Sequence, residues 1–272
     1  MRVGFIGLGN QGAPMARAIV DAGYDTTLWA RRLTSLEPYA DTAAKIAGSP
    51  AELGSHSDLV CLCVVGDADV EEVLAGDDGV LAGMSDGGIV AIHSTVHPDT
   101  CRAIAESAAG KGVSVVDAPV SGGAAVAAER QLVVMVGGED QAVERCRPVF
   151  ETYGDLVVHL GGLGSGQIAK LLNNLLFTAN LGIANATLLL GETLGVDRAS
   201  LMEVLPHSSA NSKALTSFAG IDGSMETFGS IAGALLQKDV RHLADVAERG
   251  NASPGVVLDA ADAALTMMGY SR

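Results

Sequence analysis

The first part of the chain, to about residue 160, contains seven short, strongly apolar segments that alternate with stretches of helical periodicity. The segments are RVGFIG, DTTLWA, LVCLCVV, GIVAIHS, VSVVDAP, LVVMVGG and DLVVHLG. Near-continuous apolar runs of this length are typical of strands that are covered on both faces. Because they alternate with helical stretches, they indicate a doubly wound, mostly parallel α/β sheet.

The strand signals end near residue 163, and the rest of the chain has only helical patterns. We predict helices over 165–193, 197–206, 210–219, 230–249 and 254–268. No Pro/Ser-rich linker precedes the first of them, so we expect this long interdomain helix to leave the α/β domain directly. The predicted domains are therefore an α/β domain over 1–162 and an all-helical domain over 163–272, which would serve substrate binding and dimerisation.

The predicted long helix is apolar around most of its circumference, which requires burial on nearly all sides. Its apolar run is long enough for a membrane span, but asparagines and threonines interrupt it. We therefore expect a buried helix of a soluble protein. A partner subunit is a natural source of that burial, so we predict a homodimer or homotetramer.

The overall charge narrows the classes of partner. A net charge of −15 at pH 7 argues against nucleic acid or an anionic membrane surface as a partner.

The N-terminal segment MRVGFIGLGN lacks the long apolar core of a signal peptide, so we expect a cytoplasmic protein. The cysteines show no CxxC pair and no zinc-ligand spacing, and we interpret them as reduced thiols of the core.

A glycine-rich segment, VGFIGLGNQGAPMARAIVDAG, lies between the first predicted strand and a predicted amphipathic helix. Its glycines have GxGxxG spacing, which provides a tight turn, close approach of a pyrophosphate to the backbone, and close packing of helix on strand. The alternative is a coincidental glycine-rich turn, but the strand, the helix and the N-terminal position favour dinucleotide binding. The predicted cofactor-binding residues of this loop are Gly7, Gly9, Asn10, Gln11 and Gly12.

Two arginines follow the second predicted strand, where a fold that binds NAD usually carries Asp or Glu for the ribose 2′-hydroxyl. Guanidinium groups can bind a phosphate through two hydrogen bonds. Arg31 and Arg32 therefore favour NADP over NAD as the cofactor. The alternative interpretation is that one or both are solvated residues at the start of a helix.

A second loop and a lysine suggest where a substrate would bind. The motif DAPVSGG ends in Ser121, Gly122 and Gly123, whose backbone N–H groups could bind an anion, although a simple turn would look the same. Lys170 and Asn174 share one face near the start of the long helix. If that start lies at the carboxyl ends of the strands, a desolvated lysine there could exchange protons near neutral pH. The alternative is a lysine whose stem covers apolar surface.

The motifs GLGNQGAPMA, HSTVHPDT, DAPVSGG, VMVGG, GSGQIAKLLNN and LLQKDVRHL occur in this order along almost the whole chain. In order and approximate spacing they resemble the β-hydroxyacid dehydrogenase family, which includes 3-hydroxyisobutyrate dehydrogenase and glyoxylate/succinic semialdehyde reductase. The resemblance implies a Rossmann domain for NADP, followed by a helical domain like that of 6-phosphogluconate dehydrogenase. It also implies reversible hydride transfer between the cofactor and a small molecule, a short 3-hydroxy acid or its semialdehyde.

The resemblance also implies roles for particular residues. Lys170 matches the family's catalytic lysine, and Asn174 would hold the substrate oxygen. Ser121, Gly122 and Gly123 would bind the substrate. Lys238 would lie near both the substrate and the nicotinamide. The remaining positions that match cofactor contacts are Arg31, Val65, Ser94 and Thr95.

The chain departs from the family pattern after SGG, where Val126 and Arg130 stand in place of common glycines. We therefore expect an unusual and more apolar substrate pocket.

Related imine reductases generally carry another residue at the position of Lys170, so its presence favours hydroxyacid or aldehyde chemistry. A non-catalytic, NADP-binding assembly module is the other alternative. His93 and His97 are four residues apart, but no HExxH glutamate accompanies them, and we expect no metal site.

Overall fold

The computed structural model describes residues 1–272, which divide into two compact units, 1–170 and 171–272. The first unit contains all the strands, and the second contains only helices. The strands are β1 (Arg2–Ile6), β2 (Asp25–Trp29), β3 (Lys45–Ile46), β4 (Leu59–Leu62), β5 (Ile89–Ile92), β6 (Ser114–Asp117), β7 (Val120–Ser121), β8 (Leu132–Val136) and β9 (Gly154–His159).

The α-helices are α1 (Gly12–Asp21), α2 (Pro50–Ser55), α3 (Asp67–Leu74), α4 (Val80–Gly83), α5 (Pro98–Ala109), α6 (Gly123–Ala128), α7 (Asp140–Phe150), α8 (Ser165–Thr193), α9 (Arg198–Val204), α10 (Lys213–Ala219), α11 (Met225–Phe228), α12 (Ala234–Arg249) and α13 (Gly255–Met267). Two 3₁₀ helices, Leu33–Tyr39 and Leu205–His207, and a π-helical turn, Gly229–Gly233, complete the elements. The predicted fold class, a Rossmann-like sheet followed by a helical domain, is confirmed.

The strands of the first unit form two sheets. The larger has the order β3-β2-β1-β4-β5-β6 with every pair parallel. The strand order reverses between β1 and β4, and in open α/β sheets ligands bind outside the carboxyl ends of the strands at such a point. The smaller sheet has the order β7-β8-β9, in which β8 and β9 are parallel and β7 is antiparallel to β8.

The central strands are apolar throughout because successive residues enter two different cores. Along β4, Leu59 and Cys61 belong to the core on one face, whereas Val60 and Leu62 belong to the core on the other. The four residues of β5 alternate in the same way. Side chains alternate across a strand, so burial on both faces produces the unbroken apolar runs.

The cysteines are free thiols, of which Cys61, Cys101 and Cys146 are buried and Cys63 is partly buried. Burial raises the pKa of Cys63 and of Cys146 to about 12. Burial also raises the pKa of Cys61 and Cys101 well above the ordinary value. Thiols that stay protonated are poor nucleophiles and poor metal ligands, in agreement with a core role.

Helix α8 begins at Ser165 and ends at Thr193, the bounds that the sequence predicts. The other helices of the second unit differ at their starts. The helix predicted over 210–219 begins at Lys213, because Ser212 accepts the Leu215 N–H and caps it. The helix predicted over 230–249 begins only at Ala234, because residues 229–233 form the π turn. Neither this turn nor α11 before it was predicted.

By length and composition α8 could cross a membrane, since its most apolar window has a mean hydropathy of 1.3. Half of that window is buried within the protein. Core helices of soluble proteins have the same properties, so length and hydropathy carry little weight here. Several apolar side chains of α8 are nevertheless exposed.

Candidate active site

The loop between β1 and α1 has the geometry that the GxGxxG pattern predicts. Gly7 has a φ of +99°, which only glycine adopts readily. A Cβ on Gly12 would lie 1.9 Å from the Gly7 carbonyl oxygen, so that approach requires glycine. A Cβ on Gly9, in contrast, would have no atom within 4 Å. No side chain caps α1, whose N-cap residue is Gln11, so the loop leaves room for an anion at a helix N-terminus.

The two arginines lie beyond the carboxyl end of β2, and both are exposed. Arg31 is ion-paired, with its Nη2 2.9 Å from Glu72 Oε2 and 3.5 Å from Asp69 Oδ1. These partners were not predicted, because they come from α3, 38 and 41 residues along the chain. Val65, which follows β4, is 70% exposed.

The segment after β5 carries the predicted nicotinamide-side residues. The buried Ser94 hydroxyl accepts the Val64 N–H at 2.8 Å, so it ties the ends of β4 and β5 together. Thr95 is partly buried. Cofactor contacts of Ser94 and Thr95 stay predictions.

Gln167, on the first turn of α8, joins this segment to the helix. Its amide Nε2 donates to the Ser94 carbonyl at 2.8 Å, and its Oε1 accepts the Val96 N–H at 3.1 Å. The side chain is fully buried. Since residues three apart share a helix face, the Gln167 contacts place Lys170 on the same side of α8 as the Ser94 segment.

A buried carboxylate holds the start of α8. Asp117, at the end of β6, accepts the Gly164 N–H at 2.6 Å and the Gln167 N–H at 2.7 Å. Gly164 has no side chain with which to cap the helix, so an acceptor from another element is needed. Burial raises the pKa of Asp117, and the hydrogen bonds from the helix N-terminus oppose that shift.

The predicted substrate loop continues from the same aspartate. Ser121 ends β7, and Gly122 and Gly123 follow with φ values of +142° and +80°. Both glycines are exposed, so this loop lies at the surface of the first unit. Two residues depart from the family pattern. A Cβ on Gly122 would lie 2.6 Å from Val126 Cγ1, and Arg130 adopts a left-handed φ of 60° that glycine would adopt more readily.

Lys170 is partly buried on the second turn of α8, and Asn174 follows one turn later on the same face. In the second unit, Asn174 Nδ2 donates to Asp239 Oδ2 at 2.5 Å, and Asn174 Oδ1 accepts from Asn173 at 2.9 Å. Lys238 Nζ lies 2.9 Å from Asp239 Oδ1. The nearly buried Asp239 therefore orients two predicted site residues, a role that the sequence analysis missed.

His93 is not placed as a metal ligand. Its Nδ1 donates to the Ala118 carbonyl at 2.6 Å, and the Tyr153 hydroxyl donates to its Nε2 at 3.1 Å. Both ring nitrogens are therefore occupied in the core. Burial lowers the pKa of His93 to about 4, although the bond to Ala118 opposes the shift. The neutral ring ties the end of β5 to the segment that leads into the substrate loop.

Two family models together match nearly the whole chain. The model for the NAD binding domain of 6-phosphogluconate dehydrogenase matches residues 2–161. The model for the NAD-binding part of NADP-dependent 3-hydroxyisobutyrate dehydrogenase matches residues 164–268. The similarity thus includes both the α/β part and the helical part.

Individual proteins extend this similarity. The chain is 35% identical over 259 residues to the probable mitochondrial 3-hydroxyisobutyrate dehydrogenase-like 2 of Arabidopsis thaliana. This match covers 95% of this chain and 85% of that protein. It is 36% identical over 226 residues to the NAD-dependent L-serine dehydrogenase of Pseudomonas aeruginosa. That match covers 83% of this chain and 76% of that protein. The structure of Mycobacterium tuberculosis 3-hydroxyisobutyrate dehydrogenase with L-serine has a TM-score of 0.83 and 27% identity, and the match covers 99% of this chain and 94% of that one.

The buried neutral state of His93 predicts a pH dependence of stability. Between pH 6.5 and 4 the unfolded chain binds a proton that the folded protein excludes, so stability falls as the pH falls. We expect protonation of His93 in the unfolded chain to lower the free energy of unfolding by about 3 kcal/mol as the pH falls from 6.5 to 4. Denaturant unfolding of the wild type and of His93→Asn, measured from pH 7 to 4, tests this.

The exposed His207→Asn variant is the matched control and should keep the wild-type pH dependence. An equal pH dependence in His93→Asn and the wild type would contradict a neutral, buried His93.

Proposed function

Because the chain belongs to the β-hydroxyacid dehydrogenase family, we propose that it catalyses reversible hydride transfer between a nicotinamide dinucleotide and a short 3-hydroxy acid or its semialdehyde. Membership of this family supports an oxidoreductase that acts on a CH–OH group. The observation that carries the proposal is the position of Lys170. Gln167, three residues before it, binds the Ser94 segment, and Asp117 binds the helix start next to the substrate loop.

The residues present fit a nicotinamide dinucleotide. The surface at Gly9 is open, α1 starts without a side-chain cap, and two exposed arginines follow β2. These features suit a pyrophosphate and the adenosine end of the molecule. When bound, the cofactor would supply the hydride in reduction and accept it in oxidation.

Lys170 would move the proton at the substrate oxygen. In oxidation its amine would accept the hydroxyl proton, and in reduction its ammonium would donate a proton to the carbonyl oxygen. Asn174 has a second amide N–H beyond the one that Asp239 accepts, and that group would hold the same oxygen. Ser121, Gly122 and Gly123 would bind the far end of the substrate, and Lys238 would supply positive charge near it.

The preferred cofactor would be NADP(H). The absence of an acidic residue at the end of β2 and the presence of Arg31 and Arg32 support this preference. NAD(H) is the second candidate, because the Pseudomonas aeruginosa relative is NAD-dependent.

The protein would assemble through α8. Leu172, Leu176, Ile183 and Leu190 are 52%, 55%, 55% and 58% exposed. Their spacings of four, seven and seven residues put them on one face of the helix, over about 27 Å. An apolar stripe of this length supports a second copy of the chain as its cover, in a homodimer or a homotetramer.

Replacement of the lysine tests the proposed chemistry. Lys170→Ala should lower kcat with C3 to C5 semialdehydes by about 10²-fold to 10⁴-fold, because a positioned acid or base contributes that much. The Kd for NADPH should stay within about threefold of the wild-type value, because the lysine would act on the substrate. NADPH oxidation and NADPH titration measure the two quantities.

The exposed Lys111→Ala variant is the matched control and should keep wild-type turnover. Full turnover by Lys170→Ala would show that the proposed mechanism is wrong.

A charge in the exposed stripe tests the assembly. Ile183→Glu should shift the protein to the monomer in size-exclusion chromatography with light scattering, because a buried carboxylate without a partner is costly. Val256→Glu, at a position that is 82% exposed on α13, should leave the oligomer intact. A wild-type protein that is monomeric at every concentration would contradict the assembly.

A further inference from the structure

The end of β2 carries a cluster of ion pairs that the proposed chemistry does not use. Arg31 Nη2 lies 2.9 Å from Glu72 Oε2 and 3.5 Å from Asp69 Oδ1. The two acidic residues are three apart on α3 and therefore share a helix face. Arg31 is thus already paired with two carboxylates at the place where a 2′-phosphate would need it.

These ion pairs are accessible to a ligand. The side chains of Arg31 and Glu72 are 59% and 69% exposed, and that of Asp69 is 32% exposed. Ion pairs at this level of exposure contribute little to stability, so a phosphate can displace the carboxylates from Arg31. The displaced carboxylates would then remain close to the phosphate.

The cluster is negatively charged before any cofactor binds, because Arg31 contributes one positive charge and Asp69 and Glu72 contribute two negative charges. Arg32, the next residue in the chain, adds a second positive charge nearby. The 2′-phosphate of NADP brings close to two further negative charges. Repulsion from the two carboxylates opposes its binding, and salt screens that repulsion. NAD carries an uncharged hydroxyl at the same position, so the two carboxylates do not repel it.

We propose that Asp69 and Glu72 limit the preference for NADP by competing with its 2′-phosphate for Arg31, so that the protein uses both NADP(H) and NAD(H). This inference rests on the proposed function, because it concerns the same dinucleotide site. It assigns cofactor discrimination to two carboxylates of α3 as well as to the arginines.

Removal of the two charges tests the competition. The Kd values for NADP⁺ and NAD⁺ are measured by calorimetry for the wild type, Glu72→Gln and the double variant Asp69→Asn/Glu72→Gln. The double variant should bind NADP⁺ about tenfold more tightly, and Glu72→Gln about threefold more tightly. The Kd for NAD⁺ should change by less than about twofold, and the gain for NADP⁺ should shrink in 0.5 M NaCl.

Glu71→Gln is the matched control. Glu71 is an exposed carboxylate on the same helix, about 200° around the axis from Asp69. This variant should leave both Kd values within about twofold of wild type, because its charge faces away from Arg31.

The outcomes separate this inference from the proposed function. If the wild type binds and turns over with a dinucleotide but the double variant binds NADP⁺ no more tightly than Glu71→Gln does, only the competition is overturned. Loss of NAD⁺ binding in the double variant, with NADP⁺ binding unchanged, would also overturn it, because the carboxylates would then be ribose ligands. A wild type that binds neither dinucleotide would overturn both this inference and the proposed function.

Discussion

The hydrogen bonds between the Asp117 carboxylate and the first turn of α8 hold together the parts of the candidate site in the first unit. Asp117 is fully buried and accepts N–H groups from Gly164 and Gln167. A buried carboxylate is costly unless it is hydrogen-bonded, and a helix N-terminus supplies both donors and a favourable dipole. Without this acceptor, each buried N–H group would be left without a hydrogen bond, which would lower the stability of the fold by about 1–3 kcal/mol. The end of β6 and the start of the long helix are therefore bound to each other.

The other candidate site residues of the first unit follow from that junction. The predicted substrate loop leaves β6 directly after Asp117, and Gln167 binds the Ser94 segment from the first turn of the helix. Lys170 comes one turn later, followed by Asn174, which Asp239 orients. Each of these polar side chains is held by hydrogen bonds or by its place on a regular helix. Such preorganisation is what positioned acid and base catalysis requires.

Patterns local in the sequence predicted much of this fold. All seven apolar segments contain strands, the glycine-rich loop between β1 and α1 has the expected geometry, and α8 has the predicted bounds. The strands β3 and β7 were missed because each has only two residues, too few for a periodic pattern. Contacts between distant residues were also missed, since no local pattern encodes the approach of Asp117 to Gly164 or of Glu72 to Arg31. The absence of a capping side chain at Gly164 is the one signal that an outside acceptor was needed. The roles of the site residues and the domain boundary at 162 and 163 stay predictions.

If Asp117 positions the helix start for catalysis, its replacement should slow hydride transfer without weakening cofactor binding. A single-turnover measurement at saturating NADPH tests it, with Asp117→Asn compared with the exposed Asp155→Asn. An amide keeps one accepting oxygen and presents N–H donors to the other helix N–H group, and small displacements of reacting groups are costly. The account predicts that Asp117→Asn lowers the rate of hydride transfer by about 10²-fold, with the Kd for NADPH within about threefold of wild type. An unchanged rate in a folded Asp117→Asn protein, or a rate lost only in proportion to NADPH binding, would contradict it.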